Sequence, residues 1–289
     1  MAPHKNSSTY PALTSWAGKP RSIYAPASNK PYSGMKVSVV TPSFNQASFL
    51  ERTMRSVLSQ QGDFELEYII VDGASTDGSV DIIRRLAAAD QRVQWVSEPD
   101  HGQSDAINKG LHMATGEVVA FLNSDDIYYP ETLQTVVQTF RRPTVQWAYG
   151  RCRIIDASDR ETTKPVTWYK NFVGYFYHYG WLLILNYISQ PAVFWRRQLL
   201  SELGYLNIAE HLVMDYELWC RFGKHYRATP MHRYLAGFRL YATSKSGRGY
   251  RQQFQEEYAV AKRYTRNPFL LWLHHMHTGL ILFIYQIIR

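Results

Sequence analysis

Residues 117–126 (EVVAFLNSDD) constrain the fold more than any other stretch of the chain. Gly116 opens an apolar run of strand length, and the run stops abruptly in Asn123, Ser124, Asp125 and Asp126. Upstream, KVSVVT (36–41) ends at Pro42, YIIV (68–71) runs into Asp72 through Gly78, and VQWVS (93–97) leads into Glu98. Leu50, Met54, Val57 and Leu58 share one helical face after the first run, and Val80, Ile83 and Leu86 another after the second. A third helix is expected from the loop ending at Gly102 to about Ala114. Strand and helix patterns alternating at roughly 25 to 30 residues predict βαβ units and a mostly parallel sheet. Parallel strands aim their carboxyl ends the same way, and ligands of such sheets sit just beyond those ends. Asn45, Asp72, Asp77, Asp125 and Asp126 are therefore expected on one rim. Singly, Asp72 reads as a turn residue and Asp77 or Asp126 as a helix cap; together, in order, they read as a site.

With 289 residues and 45% hydrophobic composition, the chain suits one large domain with extensions. Residues 1–34, rich in Pro, Ser, Ala, Asn and Tyr without periodicity, are expected to be a flexible arm. Residues 35–247 hold the alternating pattern and then strands near 147–155, 192–195 and 234–241, with helices near 196–203 and 211–222. The 172–188 stretch is aromatic and uncharged, suiting either core packing or a second surface. Residues 248–289 read as a polar amphipathic helix followed, from Pro268, by an apolar tail.

A net charge of +8, scattered rather than blocked, favours anionic partners but argues against a nucleic-acid binder. Cys152 and Cys220 form no CxxC, which excludes a cysteine zinc site and a disulfide framework and suits a reducing compartment. No secretory pattern opens the chain, so a cytoplasmic location is expected. Neither GxGxxG after the first strand nor GxxxxGK[ST] occurs, which removes dinucleotide dehydrogenases and P-loop enzymes.

An acidic rim repels an anion: two unit charges about 4 Å apart interact by roughly 4 kcal/mol at an effective dielectric near 20. A diphosphate settles there with a divalent cation between, and oxygen ligands favour Mg²⁺ or Mn²⁺. SVVTPSFNQASFLERTMRSVLSQ, YIIVDGASTDGSVDII, EPDHGQSDAINKGLHMATGEVVAFLNSDD, SQPAVFWRR and MDYELW, in that order, resemble the family 2 glycosyltransferases of GT-A fold. The resemblance covers about residues 35 to 245 and implies a Rossmann-like α/β fold: a mixed, mostly parallel central sheet flanked by helices, with a C-terminal helical extension.

It further implies inverting transfer of a sugar from a nucleoside-diphosphate donor, usually UDP-linked, to a hydroxyl of a glycan or lipid-linked acceptor, as in polysaccharide and cell-envelope biosynthesis. Thr41, Pro42, Ser43 and Asn45 would lie near the nucleotide, with Asp72 on the base. Asp77 and the segment carrying Gly102, Ser104, Asp105 and Asn108 would support ribose and sugar-diphosphate. Asn123 and Ser124 precede Asp125, the expected metal ligand with Asp126 beside it; Asn123 stands where relatives carry Asp. Asp215 corresponds to the general base, preceded by Met214 where relatives often have Glu. Tyr241 stands where relatives often carry His, leaving Arg239, Ser244 and Lys245 as phosphate binders or a solvated loop. A scaffold that binds sugar nucleotides without turnover is the alternative, and a nucleotidyltransferase is disfavoured because no basic Gly-rich loop occurs. Phe269 to Ile288 lacks Asp, Glu, Lys and Arg and has the length of a span, but His274, His275, His277 and Gln286 oppose insertion. A helix lying at a membrane surface, or docking a partner, is expected.

Overall fold

A computed structural model describes residues 34–242 and 244–288. The first half alternates as expected: β1 (Met35–Ser43), α1 (Ala47–Leu58), β2 (Phe64–Asp72), α2 (Ser79–Ala89), β3 (Val93–Ser97), α3 (Gln103–Met113) and β4 (Val118–Phe121). There follow β5 (Ile127–Tyr128), α4 (Thr132–Phe140), β6 (Trp147–Ile155), α5 (Lys164–Val173), α6 (Tyr179–Ile184), β7 (Val193–Arg196) and α7 (Gln198–Leu203). The chain then runs through α8 (Met214–His225), β8 (Thr229–Arg239), α9 (Lys245–Tyr264) and α10 (Pro268–Ile288).

All eight strands form one sheet in the order β3-β2-β1-β4-β7-β6-β8-β5. β1 pairs in parallel with β2 and β4, and β2 with β3, so four strand ends share one edge. β7 runs antiparallel between β4 and β6, which makes the second half mixed. Successive strand residues point to opposite faces, and two cores result. Val40, Ile69, Val119, Phe121, Trp147 and Trp195 pack beneath α3 and α8. Val39, Ile70, Val118, Ala120, Ala148 and Phe194 pack beneath α1, α2 and α4. Burial on both faces explains why the central strands read as continuous apolar runs.

Several elements differ from the sequence expectation. β2 begins at Phe64 rather than Tyr68, because Glu65 and Glu67, which break the apolar run, ion-pair with Lys36 on β1. β5, two residues long, is too short to carry a period. α5 and α6 divide the aromatic stretch, with a turn at Gly174 between them. The described residues pack as one compact unit, with α9 and α10 part of it. No helix among the described residues is long and apolar enough to cross a membrane.

Candidate active site

Strand register brings the first part of the rim together. Ser43, Asp72 and Ser97 stand abreast at the ends of β1, β2 and β3. Asp72 is fully buried and accepts bonds from the Ser75 amide (2.9 Å), the Ser75 hydroxyl (2.6 Å) and the Ser97 hydroxyl (2.8 Å). Three donors fill three of about four lone-pair positions of the carboxylate. Asn45 ties the neighbouring loop in: its amide donates to Ser75 Oγ and its side-chain oxygen accepts from the Thr76 amide. Asn45 (φ 50°) and Ala74 (φ 62°) both adopt left-handed backbone here, a conformation that surrounding bonds must hold for non-glycine residues. Phe44, 61% exposed, closes this part of the rim beside Gly73, where an added Cβ would come within 3.2 Å of its ring.

Two expected contacts lie below the surface instead. Thr41 is buried and shares a hydrogen bond with Tyr68, and Pro42 is likewise covered, so both shape the strand end from beneath. Asp77 accepts from the Ala47 amide (2.9 Å) and from the amide and hydroxyl of Ser79. Burial alone would raise its carboxyl, but these bonds outweigh it and hold the group below the ordinary range. Asp77 thus braces α1 against α2.

Adjacent Asp125 and Asp126 have opposite surroundings. Asp126 is fully buried, accepts from the Arg239 amide (2.8 Å) and faces Asn123 Nδ2. Burial raises its carboxyl well above the usual range, and the neighbouring Asp125 charge adds to this. Asp126 is therefore an interior anchor, a correction to its expected place beside a metal. Asp125 is half-buried; its Oδ2 accepts from the Tyr241 hydroxyl at 3.0 Å. Burial, and then the Asp125 charge, push the Tyr241 phenol up to about 12, so it stays a donor. Gln46, at the entry to α1, completes the contact at 3.3 Å from the same hydroxyl.

Arg239 corrects a second expectation. It is 1% exposed and binds the carbonyls of Asp125 and Asp156, each at 2.6 Å, and the Asp159 carboxylate, with its guanidinium over Phe49. Each of its three nitrogens already donates within the protein and the side chain is buried, so Arg239 is structural rather than a phosphate contact. Ser244 is buried and donates to the Tyr241 carbonyl, fixing that turn.

A second group of the expected residues is built on α3. Gln103 donates to Asn123 Oδ1 (2.7 Å), and Asn123 Nδ2 faces Gln190 Oε1 (3.2 Å). The next residue, Ser104, donates to the sulfur of Met214 (2.9 Å). Asp105 accepts from the His101 amide, and Asn108 holds both the amide and carbonyl of Leu206. Ser104, Asp105 and Asn108 are thus bound up with the loops around α3. Gly102, exposed and at φ 106°, starts the helix. Ser124 is buried, its carbonyl taken by Thr53.

Asp215 sits half-buried in the first turn of α8, its Oδ1 accepting from the Tyr216 amide. Lys170 on α5 and Glu257 on α9 are close enough to act on it electrostatically. Burial lowers the Lys170 ammonium, against the pull of Glu257. Burial raises Glu257 to about 7, against hydrogen bonds from Gln253 and Asn186.

Sequence reasoning missed Ser75, Ser97, Gln103, Gln190 and Glu257. Ser97 ends a strand on the named rim and was reachable; Glu257 lies in a polar helix with nothing to mark it. As to a metal, no group of three His, Cys, Asp or Glu gathers among the described residues. A hard cation bound through a diphosphate needs only one or two protein carboxylates, and Asp125, partly exposed and bonded to a neutral phenol, fits that need.

Solved structures share this architecture. A mannosyltransferase from Pyrobaculum calidifontis, determined with GDP-Man and Mn²⁺, superposes with a TM-score of 0.64 at 22% identity, covering 86% of this chain and 70% of that one. S. aureus TarS residues 1–349, with UDP-GlcNAc, gives 0.53 at 18% identity, covering 78% and 65%. The fold is therefore that of the GT-A glycosyltransferases. The Glycosyl transferase family 2 profile matches residues 38–204, more than half of the chain, and the chain belongs to that family. An uncharacterised glycosyltransferase of Nostoc sp. (strain PCC 7120) is 39% identical over 134 residues, 46% of this chain and 41% of that protein. The match thus spans less than half the length of this relative.

Proposed function

We propose that this glycosyltransferase moves a sugar from a nucleoside-diphosphate donor, UDP-linked, to a hydroxyl of a glycan or lipid-linked acceptor with inversion. The observation that carries the reading is the bridge through α3. Consecutive residues Gln103 and Ser104 bond Asn123, two residues before Asp125, and Met214, the neighbour of Asp215. One rigid helix start therefore spaces the donor-side carboxylate from the acceptor-side one.

In this reading Phe44 offers its exposed face to the base, and Asp72, braced by Ser75 and Ser97, contributes its remaining lone pair. Asp125 and the donor diphosphate would hold Mg²⁺ or Mn²⁺, which when bound stabilises charge on the departing diphosphate. Asp215 accepts the proton of the acceptor hydroxyl as that oxygen attacks the anomeric carbon opposite the diphosphate. The new C–O bond forms as the bond to the diphosphate oxygen breaks. The tail helix α10 contacts a membrane at its surface.

The test is a thermal-shift titration of UDP, GDP, CMP and dTDP, each with and without Mn²⁺. A ligand binding only the folded protein adds about 2.7 kcal/mol at a hundred times its dissociation constant. One diphosphate should stabilise the protein in a metal-dependent way, and Asp125→Ala should remove the effect. Asp215→Asn should keep nucleotide binding and abolish transfer. Transfer surviving in Asp215→Asn would remove Asp215 as the base, and binding without turnover in the unaltered protein would support the scaffold.

A further inference from the structure

We propose that α5, α6 and α10 together form one docking face for an anionic lipid bilayer. The proposal extends the surface contact of α10 to two further elements and to a lipid class; it rests on that reading and is independent of the donor chemistry.

Of the large apolar side chains exposed among the described residues, all but Phe44 and Ile208 fall in two short stretches, 168–181 and 269–283. On α10 the exposed set is Phe269, Trp272, Met276, Leu280 and Phe283, each between 54% and 61% exposed. Their spacing of three or four residues draws a single stripe along the helix. His274, on the other side, is 1% exposed and binds the Leu183 carbonyl of α6 at 2.8 Å. The helix is therefore seated through its histidine side and bares its apolar side. On α5 and the turn after it, Trp168, Phe172 and Phe176 are 65% to 67% exposed, and Trp168 stacks on Phe172. Tyr169 joins the two stretches, its hydroxyl 3.0 Å from His277 Nε2 and its ring stacked on that imidazole.

Charge selects the occupant. No Asp or Glu occurs between Glu161 and Glu202, or anywhere after Glu257. Within those two stretches Arg196 and Arg197 bind main-chain carbonyls beside β7 and Arg263 pairs with Glu210, so the charge available to a partner is that of the cations left at the surface. Lys164, Lys262 and Arg266 are exposed in them. A second copy of this chain would bring two such basic faces together, whereas an anionic headgroup layer neutralises them. Exposed aromatic rings on α5 and α10, with cations on α5, on α9 and in the turn before α10, are the composition of an interfacial surface.

The full chain is sedimented with vesicles of phosphatidylcholine alone and with vesicles containing phosphatidylglycerol. The unaltered protein is expected to bind the anionic vesicles. Three variants follow: Trp272→Glu with Phe283→Glu on α10, Trp168→Glu with Phe172→Glu on α5, and Lys164→Gln with Lys262→Gln and Arg266→Gln. Each pair of glutamates should abolish binding. The triple neutralisation should weaken it by about fivefold per removed charge, from about 1 kcal/mol each. All altered side chains are exposed, so an unchanged melting temperature and nucleotide response verifies that each variant is folded. Loss in the α10 pair alone overturns the composite face and leaves the tail contact standing. Equal binding to neutral vesicles overturns the lipid class. No binding to either vesicle, or a dimer in solution that Trp272→Glu dissolves, overturns both readings.

Discussion

Arg239 shows how much of this site is interior scaffolding for one carboxylate. Its guanidinium closes on the carbonyls of Asp125 and Asp156 and on Asp159, and its amide holds Asp126. Arg239→Met keeps the volume but leaves acceptors without donors, which costs about 3 kcal/mol. Urea unfolding should show that loss, and Arg239→Lys should recover only part of it because an ammonium cannot reproduce the fork. An unchanged midpoint in Arg239→Met would mean that water replaces the guanidinium freely. Tyr241 acts on the same carboxylate from outside. Its hydroxyl bonds Asp125 Oδ2 and so competes, in the proposed reading, with a cation for that carboxylate. Tyr241→Phe removes that competitor, worth about 1 kcal/mol, so half-maximal Mn²⁺ for nucleotide stabilisation should fall about fivefold. A rise instead would place the hydroxyl among the groups that hold the ligand.

At the scale of elements, α9 couples the fold to pH through Glu257. Its carboxyl titrates near 4.5 when exposed and about 7 in the folded protein, where burial disfavours the anion. Between those values the folded chain keeps a proton that the unfolded chain has released. The stabilisation is complete below the unfolded value, declines as pH rises towards 7, and is gone above it. The span corresponds to roughly 3 kcal/mol at most. Glu257→Gln cannot titrate, so its stability relative to the unaltered protein should increase from pH 5 to about 7 and level off above that. A constant difference across that range would mean that Glu257 ionises normally. This helix also marks where sequence stops being informative. β1, β3, α3 and β6 were legible because their apolar period matches one geometry, and the order of their polar ends placed Ser43, Asp72 and Asp125 on one edge. Side-chain direction was not legible. Asp125 and Asp126 are adjacent and identical, and only tertiary neighbours turn one outward and the other onto Arg239. Ser104 and Asn108 likewise look like ligand contacts in a polar loop-helix, yet their partners Met214 and Leu206 lie about a hundred positions away.

For the molecule as a whole, the question is whether α9 and α10 are appended to a finished enzyme or complete it. Val260 and Ala261 are fully buried, and Val260 belongs to the core that contains Trp195 and Trp219. Four polar contacts reinforce the seat. Tyr264 donates to Glu217, which also holds Arg221, and Arg221 in turn binds the carbonyls of Leu203 and Tyr205. Arg263 pairs with Glu210 at 2.6 Å, the Leu212 amide donates to Glu256, and Asn186 reaches Glu257. These contacts meet α8 at Glu217, the loop that leads into Asp215, or the segment before β7. Removing residues 245–289 therefore strips support from the surroundings of Asp215 while leaving Ser43 and Asp72 on their strands and Asp125 in the turn after β4. The lost burial and bonds amount to about 4 kcal/mol, or about 10 °C in melting temperature for a chain of this size. The truncated protein should melt earlier by that amount and still respond to nucleotide when cooled, yet lose transfer. If it melts unchanged and transfers sugar at the full rate, the two helices are appendages and the enzyme ends with β8.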